Sequence, residues 1–280
     1  MTSTRERQRA AARARLEREM AERAARARKR RQTQAIVGAA AVLLLVVAGT
    51  AWLATSLGGD DDKQPDTAGA PAGFAQCAYP EVPKEGRPAQ IKDVGLPPAQ
   101  QKNVGTQTMT IDTNLGPITA KIDRAAVPCT AGSFTHLASK GFFDNTKCHR
   151  LVTEGIKVLQ CGDPSATGKG WRETDGTGGP SYNLAEENLP TDKRPAYPEG
   201  VIAMANSGQP ASTGSQFFIV WGDSQLDPNY TVLGTITGGM DLVKQAAAAG
   251  DDKAFAKQAG GGHPKKEVVI SKLTMSDIQG

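Results

Sequence analysis

Polar side chains interrupt strand-like apolar runs at four positions in this chain: Arg150, Gln160, Asn206 and Gln216. Burying a polar group inside an apolar strand costs free energy unless the group has a partner or a use. Four such residues, with Phe218 two positions beyond Gln216, therefore predict one shared pocket. The set supplies hydrogen-bond donors and acceptors and one permanent cation, but no nucleophile and no general base.

Other kinds of chemistry lack their usual residues. The sequence has no Gly-x-Ser-x-Gly elbow and no phosphate-binding loop. Its three histidines, His136, His149 and His263, are scattered, and no paired Cys or His spacing typical of a zinc site is present. We interpret the glycine-rich run at 176–179 as a loop and the adjacent pair at 186–187 as solvated carboxylates. We expect neither a metal nor a cofactor.

Short strands separated by glycine-rich turns position the polar residues. Alternating runs at 108–113 and 118–122, joined by a turn, predict a hairpin. One helix is expected to begin at Pro128 and end before Gly141, and a second to cover 240–248. Further strands are predicted at 201–205, 217–221, 231–236 and 266–274. Many short strands with only two helices favour a mostly β fold, a closed antiparallel barrel.

The positive charge of the 280 residues lies almost wholly in one arm. Residues 1–31 carry eleven Arg, one Lys and four Glu, a net of +8, whereas the rest carries 21 basic and 25 acidic residues, a net of −4. Residues 35–57 form an uncharged run of 23 residues, long enough for a single transmembrane helix. Basic residues stay on the cytoplasmic side, so the N-terminus is expected inside and the remainder outside. A cleaved signal peptide is the alternative, although its apolar run is usually shorter.

The sequence thus divides into four parts: a basic cytoplasmic arm at 1–34, the membrane segment at 35–57, a Pro/Gly-rich extracytoplasmic linker at 58–105 and a folded domain at 106–280. The predicted localisation is the cell membrane, with a single pass and the folded domain extracytoplasmic. We expect residues 35–57 to contact lipid and the arm to attract anionic headgroups. No aromatic residue interleaves the arm, so nucleic-acid binding is not expected.

The four cysteines, at 77, 129, 148 and 161, all lie in the part placed outside. An even number of cysteines in an oxidising compartment favours two disulfides, of which three pairings exist. We favour Cys148 with Cys161, because a hairpin could place the two opposite each other. That choice leaves Cys77 with Cys129, which would join the linker to the first helix. Reduced thiols are the alternative.

Six short motifs, in a fixed order, resemble those of the cyclophilin-type peptidyl-prolyl cis-trans isomerases. They are Cys148-His149-Arg150, Gln160-Cys161-Gly162-Asp163, Gly176-Thr177-Gly178-Gly179, Met204-Ala205-Asn206, Gly214-Ser215-Gln216-Phe217-Phe218 and Leu233-Gly234. The similarity covers about residues 106–275, and the cysteine pattern resembles that of membrane-anchored actinobacterial members. The resemblance implies a closed eight-stranded antiparallel barrel capped by two helices, with a groove on one face.

The resemblance also implies roles for the residues of the groove. Arg150 would be the catalytic arginine, and Gln160 and Asn206 would hold the backbone of a proline-containing polypeptide. The residues that would line or complete the pocket for the proline ring are Val158, Ala205, Gln216, Phe218, Leu226 and Tyr230.

Rotation about an X–Pro bond needs no nucleophile or metal, because its barrier of about 18–20 kcal/mol comes from amide resonance. A donor aimed at the proline nitrogen weakens that resonance and binds the twisted state better than the planar one. Arginine suits this task, since it stays charged and carries a rigid fork of donors. The alternatives are a proline-segment binding module or chaperone with weak turnover, and a structural envelope protein that acts through its basic arm.

Three positions depart from the family pattern. The stretch between Arg150 and Gln160 is two residues longer than the commonest spacing. Lys157 stands where a pocket phenylalanine is usual, unless Ile156 takes that place. Gln225 stands where many members carry tryptophan.

We expect these departures to weaken cyclosporin binding, and Tyr230, at the position of a usual histidine, to alter sequence preference without affecting the rotation chemistry. Titrating the purified domain with cyclosporin measures the affinity. A nanomolar dissociation constant would contradict the expectation.

Overall fold

The computed structural model describes residues 70–280, which belong to one compact unit. The predicted arm, the predicted membrane segment and the first part of the predicted linker lie outside the described residues. Within residues 70–280, neither helix has the length and apolarity that crossing a bilayer requires.

The described chain contains thirteen strands and two helices. In chain order they are β1 (Phe74–Gln76), β2 (Ile91–Lys92), β3 (Gln100–Lys102), β4 (Thr106–Thr113), β5 (Gly116–Asp123), α1 (Pro128–Ser139), β6 (Thr146–Lys147), β7 (Arg150–Val152), β8 (Val158–Cys161), β9 (Gly179–Pro180), β10 (Val201–Met204), β11 (Phe217–Val220), β12 (Val232–Gly238), α2 (Met240–Ala248) and β13 (Val269–Met275).

Nine of the strands form one curled antiparallel sheet in the order β6-β13-β4-β5-β12-β10-β11-β8-β7. The expectation of a mostly β fold with two helices is confirmed. The two edge strands, β6 and β7, are separated in the chain only by Cys148 and His149. The first and last strands of the sheet must therefore be close in space, which requires the sheet to curl.

The central strands β10 and β11 are buried on both faces. Ile202 and Phe217 belong to the main core, in which the ring of Phe217 meets that of Phe134 on α1 with centroids 5.9 Å apart. Their neighbours Ala203 and Phe218 belong to a second apolar cluster on the opposite face. Successive side chains of a strand point to opposite faces, so these continuous apolar runs serve two layers at once.

A distant carboxylate satisfies the start of α1. Pro128 occupies the first turn, as predicted, but Val127 offers no side-chain cap. Glu187 instead accepts hydrogen bonds from Cys129 N at 3.0 Å, Thr130 N at 2.8 Å and Thr130 Oγ1 at 2.6 Å. An acid at a helix N-terminus also complements the helix dipole. The interpretation of this glutamate as a solvated surface residue was wrong.

Residues 70–105, which we predicted as part of a linker, pack against the domain. Strand β1 pairs with β3, and β2 pairs in parallel with β9. Cys77 forms a disulfide with Cys129, and the hydroxyl of Tyr79 donates a hydrogen bond to Cys129 O at 3.0 Å. The second disulfide joins Cys148 to Cys161, so the structure has the pairing that we favoured.

Candidate active site

Strand register brings the candidate residues into one row. Arg150 on β7 lies opposite Gln160 on β8, Gln160 lies opposite Phe218 on β11, and Phe218 lies opposite Ala203 on β10. Directly opposed residues of antiparallel strands project from the same face of the sheet. A cation, an amide and an aromatic ring thus stand side by side although 68 positions separate the first from the last.

This row forms part of the wall of a cleft of about 530 Å³. Eight of the nine residues predicted to bind or act on a substrate line it: Arg150, Val158, Gln160, Ala205, Asn206, Phe218, Leu226 and Tyr230. The ninth, Gln216, lines an adjoining cleft that shares Gln160, Ala205 and Asn206 with the first.

A chain of side-chain hydrogen bonds links the two clefts. Arg150 Nη1 donates to Gln160 Oε1 at 3.1 Å, and Gln160 Nε2 donates to Gln216 Oε1 at 2.9 Å. Gln216 Nε2 in turn donates to the carbonyls of Gly176 at 2.8 Å and Gly178 at 2.9 Å. Each amide is oriented by the next, and such networks strengthen their members. Gln216 therefore positions Gln160, rather than lining the first cleft as expected.

Two main-chain carbonyls hold the other side of the guanidinium. Arg150 Nε donates to Gly260 O at 3.1 Å, and Nη2 donates to Ala259 O. Together with the bond to Gln160, these contacts use three of the five N–H groups, so one on each Nη is available to a ligand. Burial lowers the pKa of Arg150, with Tyr230 acting in the opposite direction, and the group stays charged at neutral pH.

Two aromatic rings, Phe218 and Tyr230, line the apolar end of the cleft, and the buried ring of Tyr197 packs behind them. Phe218 meets Tyr230 edge to face at 5.5 Å and Tyr197 at 6.2 Å between centroids. The Tyr197 hydroxyl donates to Tyr230 O and accepts from Tyr230 N, both at 2.8 Å. Burial raises the pKa of Tyr197 to about 12, so its hydroxyl keeps the proton it donates. Tyr197 was missed by the sequence analysis, although it fixes the main chain of Tyr230.

Asn206 is engaged with its own surroundings. Its Nδ2 donates to Asn229 O at 2.9 Å, and its Oδ1 accepts from Gly208 N at 3.0 Å. The side chain thus ties together two loops at the rim of the cleft. One N–H of Nδ2 and one lone pair of Oδ1 remain available to a bound polypeptide.

Two of the three departures from the family pattern, Lys157 and Gln225, do not belong to the lining of the first cleft. Ile156 lines it, whereas the Nζ of Lys157 lies 5.9 Å from the centroid of the Trp221 ring. Gln225 lines a separate cleft, to which Leu226 also contributes. Of the two candidates for the position of the usual pocket phenylalanine, Ile156 and Lys157, it is Ile156 that lines the cleft.

Several lining residues were not predicted: His149, Asp175, Gly176, Phe255 and Ala259. His149 is buried, and its two ring nitrogens have no hydrogen-bond partner among the described residues. Desolvation lowers its pKa to about 4, against the opposing effect of the carboxylates of Asp163 and Asp175. His149 is therefore neutral at physiological pH. Among residues 70–280, no group of three or more His, Cys, Asp or Glu side chains is placed to hold a metal ion.

The chain is similar to a known family. The family model described as "Cyclophilin type peptidyl-prolyl cis-trans isomerase/CLD" matches residues 108–275. The probable peptidyl-prolyl cis-trans isomerase B of Mycobacterium leprae is 41% identical over 212 residues, which are 71% of this chain and 66% of that protein. Its Mycobacterium tuberculosis counterpart is 40% identical over 217 residues, 72% and 64% of the two chains. The match thus spans slightly less than two thirds of these relatives.

A crystal structure shares the fold. It is that of a Cryptosporidium parvum cyclophilin type peptidyl-prolyl cis-trans isomerase in the presence of the dipeptide Ala-Pro. The match has a TM-score of 0.50 at 23% identity and covers 62% of this chain and 99% of that one.

We expect His149 to make stability depend on pH between about 6.5 and 4. Its pKa is about 4 in the folded protein, against about 6.5 in an unfolded chain, so the unfolded state binds more protons in this window. The neutral ring makes its full contribution to the unfolding free energy above pH 6.5, and this contribution is lost as the pH falls toward 4. Between pH 7 and 4, the wild type should lose about 3 kcal/mol more unfolding free energy than His149→Phe.

Chemical denaturation at several pH values measures this difference. The matched control is Leu137→Ala, at a buried apolar residue of α1, which should lower the unfolding free energy by the same amount at every pH and keep the pH dependence of the wild type. Parallel pH profiles for the wild type and His149→Phe would show that burial of this ring does not govern the response.

Proposed function

Because this chain belongs to the cyclophilin-type peptidyl-prolyl cis-trans isomerase family, we propose that it catalyses cis-trans rotation about X–Pro bonds of polypeptides. The observation that carries the proposal is the row formed by Arg150, Gln160 and Phe218. It places a fixed cation beside the apolar end of a cleft of about 530 Å³, which has room for a proline ring and the residues that flank it.

The geometry accounts for the lowered barrier. In a planar X–Pro amide, the nitrogen lone pair is delocalised, which produces the barrier of about 18–20 kcal/mol. As the bond twists, the nitrogen becomes pyramidal and its lone pair becomes available as a hydrogen-bond acceptor. A donor of Arg150 that reaches this nitrogen stabilises the twisted state and leaves the planar ground state less affected.

Preorganisation makes that donor effective. Arg150 is held on three sides by oxygens of Gln160, Ala259 and Gly260, so it does not need to reorient during the twist. Fixed donors in a partly dehydrated site are worth far more than the same donors in water. The apolar wall formed by Phe218 and its neighbours holds the ring still while the preceding residue rotates. No covalent bond forms or breaks.

The binding-module alternative rested on Lys157 and Gln225. Neither residue lines the first cleft, so the described residues offer no specific support for it. The envelope-protein alternative rests on residues 1–31, which lie outside the described chain.

We expect Arg150→Ala to reduce kcat/KM for X–Pro exchange by about 10²–10³, as for the loss of other preorganised donors. NMR exchange spectroscopy or a protease-coupled assay on a proline-containing peptide measures the rate. Arg194→Ala, which removes an exposed arginine outside the first cleft, is the matched control and should be fully active. Equal activity of Arg150→Ala and the wild type would remove Arg150 from the mechanism.

We further propose that the curled sheet is the closed eight-stranded barrel expected from the resemblance. Strands β6 and β7 then count as two halves of one strand. Cys148, in the gap between them, donates its N–H to Val268 O at 2.9 Å and so extends the pairing of β6 with β13.

Finally, we propose that residues 35–57 anchor the chain in the cell membrane, with residues 1–34 cytoplasmic and the catalytic domain outside, where it assists the folding of exported proteins. The uncharged run of 23 residues and the +8 charge that precedes it support this arrangement. The two disulfides support an oxidising compartment for the domain.

The topology is tested with the full chain expressed in a bacterial host. We expect it to sediment with membranes and resist alkaline extraction, and protease added outside the cytoplasmic membrane should reach the domain but not the arm. Leu44→Arg with Leu45→Arg should release the chain, since each central arginine costs about 2.5–3.5 kcal/mol in insertion. Recovery of the wild-type chain in the soluble fraction would overturn the anchor.

A further inference from the structure

A loop between α2 and β13 forms a wall of the first cleft, and its main-chain carbonyls hold Arg150, whereas its side chains have no role so far. Residues 251–263, called here the capping loop, contribute Phe255 and Ala259 to the cleft lining. Phe255 is half-buried, so part of its ring is open to an occupant of the cleft. The sequence analysis predicted no element in this stretch.

The capping loop is fastened directly to the strand that carries Arg150. Gly262 and Leu151 exchange main-chain hydrogen bonds, with Leu151 N donating to Gly262 O at 2.8 Å and Gly262 N donating to Leu151 O at 3.0 Å. The neighbouring Gly261 has φ of 72°, and a Cβ there would lie 2.1 Å from Leu151 O. Only glycine permits so close an approach, which fixes the height of the loop above β7.

Aromatic packing supports the Phe255 ring from behind. The His263 ring meets Phe255 edge to face, with centroids 4.8 Å apart, and stacks on Trp171 at 4.6 Å. His263 Nδ1 lies 2.8 Å from Asp252 Oδ2, and His263 N donates to Asp252 Oδ1 at 2.7 Å. Main-chain bonds within the loop join Phe255 N to Gly261 O and Gly260 N to Phe255 O, both at 2.9 Å. Phe255 thus stands on a rigid base.

The same loop fixes Phe255 relative to Arg150. The carbonyls of Ala259 and Gly260 accept the Nη2 and Nε hydrogen bonds of the guanidinium. A polypeptide with its proline ring against Phe218 and its X–Pro nitrogen near Arg150 therefore passes along the capping loop.

We propose that Phe255 is a specificity-determining residue that contacts the substrate residue adjacent to the proline and favours a large apolar side chain there. This inference rests on the proposed isomerase function. An aromatic ring on a rigid base offers apolar contact area at little entropic cost, and aromatic pairs gain further from edge-to-face packing. A glycine at that substrate position leaves the ring without a partner.

Two series of proline peptides, tested with the full chain, measure the preference. One varies the residue before the proline and the other the residue after it, each with Gly, Leu and Phe, and NMR exchange spectroscopy gives kcat/KM without a coupling protease.

In one series, we expect the wild type to favour Phe over Gly by about fivefold to tenfold, in line with the discrimination that apolar pockets achieve. Phe255→Ala should bring this ratio close to one, because it removes the ring that the larger substrate side chain contacts. Phe255→Leu should keep most of the preference.

The ratio of two peptides on one variant is independent of the fraction of folded protein, so a loss of stability does not mimic the effect. Gln258→Ala, at an exposed position of the same loop, is the matched control and should keep the wild-type ratio.

An unchanged ratio for Phe255→Ala in both series would overturn the inference while leaving the isomerase function intact. Failure of the wild type to catalyse exchange of any peptide would instead overturn the proposed function. In that case, dissociation constants for the same peptides, measured by NMR titration, test the contact: equal relative affinities in the wild type and Phe255→Ala would overturn it.

Discussion

The site depends on one cation that is held by neutral oxygens. Among residues 70–280, no carboxylate lies within ion-pair distance of Arg150, whose partners are the amide of Gln160 and the carbonyls of Ala259 and Gly260. A carboxylate would have fixed the guanidinium equally well, but it would also have neutralised the field that a ligand experiences. Neutral acceptors orient the group and leave its charge available. The cost is desolvation without full compensation, which the lowered pKa of Arg150 reflects.

Because Arg150 is held by a neutral amide, its orientation depends on a chain of hydrogen bonds that extends beyond its direct partners. Gln160 can hold the guanidinium only if its own amide is oriented, and Gln216 does this through the carbonyls of Gly176 and Gly178. The apolar side has a parallel in Tyr197, which fixes Tyr230 through its main chain. On both sides of the cleft, a residue outside the lining of the first cleft holds one that belongs to it.

Much of this arrangement was predictable, and the reason lies in the strands. The apolar run 217–220 contributes side chains to two apolar clusters on opposite faces of the sheet. A polar residue beside such a run is costly to bury, so its presence indicated a binding or catalytic role. Alternating runs located β4 and β5, and continuous apolar runs located β10 and β11, because the pattern of apolar residues is a local property of the sequence.

What the sequence did not reveal consists of contacts between distant segments. Glu187 caps a helix that begins 59 positions earlier, and residues 70–105 have a linker-like composition although they pack on the domain. The capping loop has no periodicity, and its one local signal is the run of three glycines at 260–262, which reflects the close approach to Leu151.

The Cys77–Cys129 disulfide has a consequence beyond holding the early strands in place. It closes a covalent ring over the 52 positions that separate the two cysteines, and this ring contains β2, β3 and the whole β4–β5 hairpin. A single proteolytic cut at any peptide bond inside the ring leaves both fragments joined through sulfur. The nicked molecule therefore keeps its two pieces together, and the cut ends stay tethered to the core that the ring surrounds.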